Sequence, residues 1–430
     1  ACVVIPFVFS SVPKIAAKES IDTELVVAPQ FAETYPAVVQ DLRIHSVPKL
    51  DGRQLRASIF DREGLSSLEC DRKHFESKGR QGYSLLINGQ IVAVCGASTA
   101  GLLHGLSHFQ YILETEGLVD LSLAEAPAIE LRALHIVLRR LSLDSLFDIV
   151  RRARLARFNT LIVMLTDGAA LKTYPSTVRA DALSKEELRE FSKFARENGL
   201  NIVPEIKLLT HQQVFLKSSR PELMFNKVTY DPNNKDVYAV VGDYLDEVID
   251  IFGADSVHIG HDEVRGFGVA ARRRWLNAGE KPLDANLFFQ DVVRLYEMLK
   301  KKGVETWMWG DMLLPKQMLA EILQRNFQER ADYPEMIDRL PKDVVINDWH
   351  YFDEREEYPS IDYFHAKGFR VYGATWHDQS TARKFSGYMA SRRWSSSGMI
   401  ATTWTLAPRG QWEKVHQIIT ESGSAFWNGG

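Results

Sequence analysis

The 430 residues carry 45% hydrophobic and 25% charged side chains, the balance of a soluble globular chain. A formal net charge of −4 gives no attraction to a polyanion, which excludes nucleic acid as the expected partner. The length exceeds one ordinary core and suggests two domains, while no apolar run approaches the roughly 18 residues that span a bilayer.

The chain opens Ala1-Cys2 with no initiator methionine, and a small residue ahead of a cysteine would suit a cleaved lipoprotein signal. The expected setting is therefore bacterial-type periplasmic, extracellular or lipoprotein-anchored rather than cytoplasmic. The absence of any Asn-x-Ser/Thr acceptor argues mildly against a glycosylated secretory protein. Cys2, Cys70 and Cys95 are too few and too scattered for a disulfide framework or a thiolate metal site. A single Cys70–Cys95 bridge stays open.

Residues 1–128 are expected to form a small α+β domain. Its clearest element runs from Tyr83 to Val94, two strand-like segments around an Asn88-Gly89 hairpin turn. A helix is predicted from Thr99 to Leu113, where Leu102, Leu103, Leu106, Phe109 and Ile112 recur at helical spacing. Ala126-Pro127-Ala128 is the predicted joint to the next domain.

From residue 129 to 430 the pattern becomes strand, helix, strand, helix. Eight strands are predicted to begin near Leu131, Thr160, Ile202, Ser256, Thr306, Val344, Arg370 and Met399. Amphipathic helices are predicted from Leu143 to Ala156, Lys185 to Asn198, Asp236 to Phe252 and Ala285 to Lys302. Ser184 and Glu187 have the spacing of a capping box for the second of these. Eight such units over about 300 residues fit a (β/α)8 TIM barrel. A doubly wound open sheet is the alternative, but the chain lacks a Gly-rich phosphate loop after its first strand.

Such barrels keep their chemistry at the C-terminal ends of the strands. There the chain offers Arg132 on the first strand, Asp167 after the second, and Glu205 with His211 on and beyond the third. The fourth strand delivers Asp262-Glu263. Trp309, Trp349, Trp376 (followed by His377 and Asp378) and Trp404 close the last four. Two neighbouring carboxylates cannot both ionise comfortably, so one is expected to donate a proton while the other stays charged. Flat aromatic walls beside convergent hydrogen-bonding groups suit a sugar ring. A metal site from His258, His261, Asp262 and Glu263 is a rival, although strand residues three apart face opposite sides. A non-catalytic carbohydrate-binding module is the second rival. It explains the tryptophans but needs no paired acids.

The segment His258-Ile259-Gly260-His261-Asp262-Glu263 resembles the His-x-Gly-x-Asp-Glu signature of the family 20 glycoside hydrolases, the β-N-acetylhexosaminidases. Gly101 to Leu106, Pro204-Glu205-Ile206 with His211, Tyr230-Asp231-Pro232 and the four tryptophans extend the resemblance over roughly residues 83 to 427. It implies an exo-acting, retaining, substrate-assisted hydrolase that removes a terminal β-linked N-acetylhexosamine from an oligosaccharide or glycoconjugate. Glu263 would be the general acid and base. Asp262 would stay ionised, accept the acetamido N–H and stabilise the oxazolinium ring. The resemblance further implies that Arg132 binds ring hydroxyls and that Asp167 and His211 support the acid. Trp309, Trp349, Trp376, His377, Asp378 and Trp404 would complete the substrate contacts. No cofactor or metal is expected. An inactive, sugar-binding relative of the same family is the alternative.

Departures from the family pattern bear on the sugar rather than the acid. Gly168-Ala169 follows Asp167 where Asp-Gln is usual, and Lys207 stands where an aspartate follows Pro-Glu-Ile. Val137 replaces an acid, His261 a glycine, and His377 the tyrosine that holds the acetamido oxygen. Leu406 replaces a glutamate that grips sugar hydroxyls, from which a sugar altered at O4 or O6 is expected.

Overall fold

A computed structural model of the chain describes residues 25–59, 79–174, 176–213, 215–264, 276–277, 279–315, 317–318, 333–352 and 355–430. Strands β1 (Leu25–Val27), β2 (Gln54–Ile59), β3 (Tyr83–Ile87), β4 (Ile91–Gly96) and β5 (Leu121–Glu125) form a mixed sheet in the order β1-β2-β4-β3-β5. Tyr83, Leu85 and Ile87 alternate inward along β3, the period of a strand covered on one face. The cover is the helix Thr99–Thr115, whose first turn is capped by the Ser98 hydroxyl accepting from the N–H of Ala100 and Gly101. Gly105 permits its close approach, since a Cβ there would lie 2.6 Å from Val94 Cγ1. The expected hairpin is present, with Ile87 opposite Val92. Its turn is braced by the Asn88 side chain, which accepts from the N–H of Gln90 and Ile91. Cys95 is disulfide-bonded, whereas Cys2 and Cys70 lie outside the described residues, as does Ala1.

Eight parallel strands then close a barrel: β6 (Leu131–Leu138), β7 (Thr160–Leu165), β8 (Asn201–Leu208), β9 (Ser256–Gly260), β10 (Glu305–Trp309), β11 (Val345–Trp349), β12 (Arg370–Thr375) and β13 (Gly398–Thr402). Each begins within one residue of its predicted start. The predicted capping box is formed in full, with Ser184 Oγ accepting from Glu187 N–H and the Glu187 carboxylate accepting from Ser184 N–H. Ala133, Ile162, Val203, Trp307, Val345, Tyr372 and Ile400 fill the barrel interior, so it is a packed core rather than a pore. A larger apolar layer joins the strands to the surrounding helices. Among the described residues no helix is long and apolar enough to cross a membrane.

Arg132 corrects one expectation. It is the second residue of β6, at the opposite end of the barrel from the loop that carries Asp262 and Glu263. Its guanidinium is fully buried and donates to the carbonyls of Ile129, Glu130 and Arg157 and to Gln81 Oε1. It also lies 5.0 Å from the ring centre of Trp427, on the C-terminal helix Trp412–Asn428. Burial and the neighbouring Arg157 pull its guanidinium down to about 9. These contacts tie the sheet domain to the barrel floor. Arg132→Met is therefore expected to lower unfolding free energy by about 2–3 kcal/mol, because the buried Ile129 carbonyl and three part-buried acceptors lose their donor. Chemical denaturation measures that loss, and an unchanged KM checks that the residue binds no substrate.

Candidate functional site

The chain leaves β9 through a run of left-handed backbone: Gly260 at φ 76°, His261 at φ 73° and Glu263 at φ 53°. This bend presents Asp262 and Glu263, both almost wholly buried, at the C-terminal mouth of the barrel. The Glu263 N–H is fixed by Asp311 Oδ2 at 3.0 Å, from the turn that follows β10.

The floor beneath the pair is ionic. β8 and β9 slip in register between Glu205 and Leu208, a bulge-like irregularity beside the site. Across it Lys207 sets its ammonium 3.2 Å from both oxygens of Asp262 and 3.1 Å from Glu205 Oε1. Glu205 is fully buried and accepts in addition from His135 Nε2 at 2.9 Å and Trp309 Nε1 at 3.2 Å. Burial opposes the charge on Asp262, yet Lys207 and His211 outweigh it and hold the carboxyl well below the usual carboxylate range. The same contest favours ionised Glu205, where Lys207, His258 and His135 prevail over burial. Burial would strip the Lys207 proton, but Asp262 and Glu205 raise its pKa instead.

His211, itself at φ 56°, directs Nε2 to Asp262 Oδ2 at 3.3 Å and Glu263 Oε2 at 3.5 Å. These three residues bring donor atoms within 4.8 Å of one another, a grouping that could hold a metal ion. Lys207 already places a cation on Asp262 and opposes a second one. The rival set anticipated from the sequence does not assemble. His258 Nδ1 accepts from the Gly260 N–H and its ring packs on Trp309, and burial pulls its imidazole down to about 4. His261 is directed at Asp291 instead.

Aromatic side chains ring the mouth, with a centre that the sequence reading missed. Tyr351, two residues past β11, stacks on Trp349 at 5.0 Å and lies 5.8 Å from Trp376 and 6.4 Å from Trp404. Its hydroxyl accepts from Trp404 Nε1 at 3.0 Å. Burial raises its pKa well above the usual value, and the charges of Asp262 and Glu205 add to the effect.

Other expected contacts fall elsewhere. Trp309 is 1% exposed and belongs to the floor, so it offers no open face for a sugar. His377 is an exposed residue packed against Trp376 and Phe352. The Asp378 carboxylate accepts from Thr381 N–H as the N-cap of the helix Gln379–Ser391. Asp167 pairs with Arg139 at 3.1 Å rather than with His211, which makes Arg139 a guanidinium at the mouth where Arg132 was expected. Leu406 packs into the strand–helix layer, outside the barrel-interior cluster. An O4- or O6-altered sugar therefore gains no support from it.

Comparison with known proteins adds an independent line. Residues 161–407 match the model of glycosyl hydrolase family 20, catalytic domain. Beta-hexosaminidase 1 from Coccidioides posadasii is 24% identical over 243 residues, 49% of this chain and 38% of that protein. Human Hexosaminidase D is 30% identical over 149 residues, 32% of this chain and 30% of that protein. The matches thus span roughly a third of the length of these curated relatives. Among solved structures, a beta-N-acetylhexosaminidase from Bacteroides fragilis superimposes with a TM-score of 0.64 at 15% identity, covering 94% of this chain and 87% of the other. A chitobiase from Flavobacterium johnsoniae gives a TM-score of 0.66 at 17% identity, covering 94% and 66%. At such identities the superpositions speak for the fold. The family match runs from within β7 to past β13 and includes both acids, and on that extent the chain belongs to glycosyl hydrolase family 20 as a divergent member.

Proposed function

We propose that the chain is an exo-acting, retaining glycoside hydrolase that removes a terminal β-linked N-acetylhexosamine with the help of the substrate's own acetamido group. The observation that carries this reading is the geometry of two adjacent buried acids that share one histidine. Asp262 is held ionised by Lys207 and His211, while Glu263 lies beside it, 3.5 Å from the same His211 nitrogen. In this reading the acetamido oxygen attacks the anomeric carbon as the glycosidic C–O bond breaks, and Glu263 protonates the departing oxygen. Asp262 accepts the amide N–H and faces the positive charge of the oxazolinium ring. Glu263 then takes a proton from water, which opens that ring and restores the original anomeric configuration. Trp349, Trp376 and Trp404 around Tyr351 form the apolar wall for the sugar. The names of the relatives, beta-hexosaminidase and Hexosaminidase D, support this substrate class.

One observation favours a second reading, an inactive sugar-binding relative. Both Asp262 oxygens already receive Lys207, so the anion that should meet the developing positive charge is neutralised in advance. A panel of aryl β-glycosides with and without the 2-acetamido group separates the two. Turnover confined to the 2-acetamido sugars is expected. Binding of those sugars with no release of the aryl group would establish the second reading.

A further inference from the structure

His261 occupies a backbone conformation that glycine adopts freely and a histidine seldom does. Its fully buried ring is held at both nitrogens: Nδ1 lies 3.0 Å from the Ile259 carbonyl, and Nε2 lies 2.8 Å from Asp291 Oδ2. Asp291 belongs to the helix Ala285–Lys300 and is itself fully buried. Its Oδ2 also accepts from the Tyr230 hydroxyl at 2.9 Å, and its Oδ1 from the Tyr238 hydroxyl at 2.6 Å. Tyr230 lies in the loop beyond β8, and Tyr238 in the helix Lys235–Phe252. One carboxylate thus joins three neighbouring elements to the residue that immediately precedes Asp262 and Glu263.

The loop has a second anchor on its other side, the Glu263 N–H on Asp311. A single residue, Asp262, lies between the anchored His261 and the anchored Glu263 nitrogen. With both in place the strained backbone has a single setting, in which both acids face His211. Remove the first anchor and a left-handed residue has no contact to repay its conformation.

We propose that His261 and Asp291 are a positioning pair that sets the acid loop, holding Glu263 in register with His211 from behind the barrel wall. This rests on the reading of Glu263 as the acid. Neither residue touches substrate, so their loss acts on the rate of the chemical step rather than on binding.

His261→Gly relieves the strain of the left-handed angle, opens other backbone angles and deletes the link to Asp291, whereas His261→Gln keeps a donor that reaches it. The expected result for His261→Gly is a fall in kcat of about 10–100-fold with KM within about twofold. His261→Gln is expected to recover most of that loss. A lower melting temperature with unchanged kcat would reduce the pair to a structural role and overturn the proposal. A crystal structure of His261→Gly gives a readout independent of activity, and is expected to find Glu263 displaced from His211. An unmoved backbone at residues 261–263 overturns the proposal even if the wild-type chain turns over no glycoside, a result that would separately sink the functional reading.

Discussion

Glu263→Gln is expected to fold normally, bind sugar and lose about 10²–10⁴ in turnover, the amount a positioned general acid supplies. That corresponds to roughly 3–5 kcal/mol of transition-state stabilisation. The amide keeps the size of the side chain and its backbone N–H bond to Asp311, so the loop has no reason to move. What disappears is the proton for the departing oxygen. Aryl glycosides with acidic leaving groups need that proton least and should suffer least in the first step, while a natural oligosaccharide should suffer most. Equal hydrolysis of an oligosaccharide by variant and wild type would move the acid elsewhere. Circular dichroism and binding of the product sugar confirm that a slow variant is a folded one.

The barrel was legible because buried parallel strands are near-continuous β-branched and apolar runs, and their boundaries follow from amphipathic helices with strong caps. Ser184 and Glu187 illustrate this, since the same two side chains that signal the helix in sequence close its first turn in the structure. Height along a strand was less well read. Arg132 sits six residues before the end of β6, which at strand rise is about 20 Å from the mouth, and Arg139 just past that end is the group on the correct side. Turns hid the rest. Trp404 turns through φ 40°, which breaks the alternation that would have aimed Leu406 into the barrel. Tyr351 lies beyond its strand, where no periodicity says which way a side chain points. Lys207 stood out as a departure, but its partners became visible only once the β8–β9 register slip was known.

Lys207→Met should be strongly destabilising. Methionine fills much of the volume but leaves Glu205 and Asp262 buried without the ammonium that touches both. Removing one partner of a buried ion pair typically costs about 3–5 kcal/mol, because a desolvated charge is left uncompensated. The pH dependence identifies the cause. In the wild type the carboxyl pKa values are lowered, so their stabilising effect is complete above the unfolded carboxylate range. It is lost only as the pH falls through the depressed values. The raised Lys207 pKa keeps its part of the effect until the pH climbs past the ordinary lysine range. Without Lys207, burial dominates and raises both carboxyl pKa values. The variant then gains stability as these groups take up protons, and its deficit relative to wild type should shrink from about pH 8 to about pH 5. Urea melts across that range make the test, and a deficit independent of pH would assign Lys207 to packing alone. Lys207→Asp, which restores the residue usual in the family, should be worse than methionine. It would put a third carboxylate between two that already depend on a cation, so this departure cannot be reversed at one position without changing the floor around it.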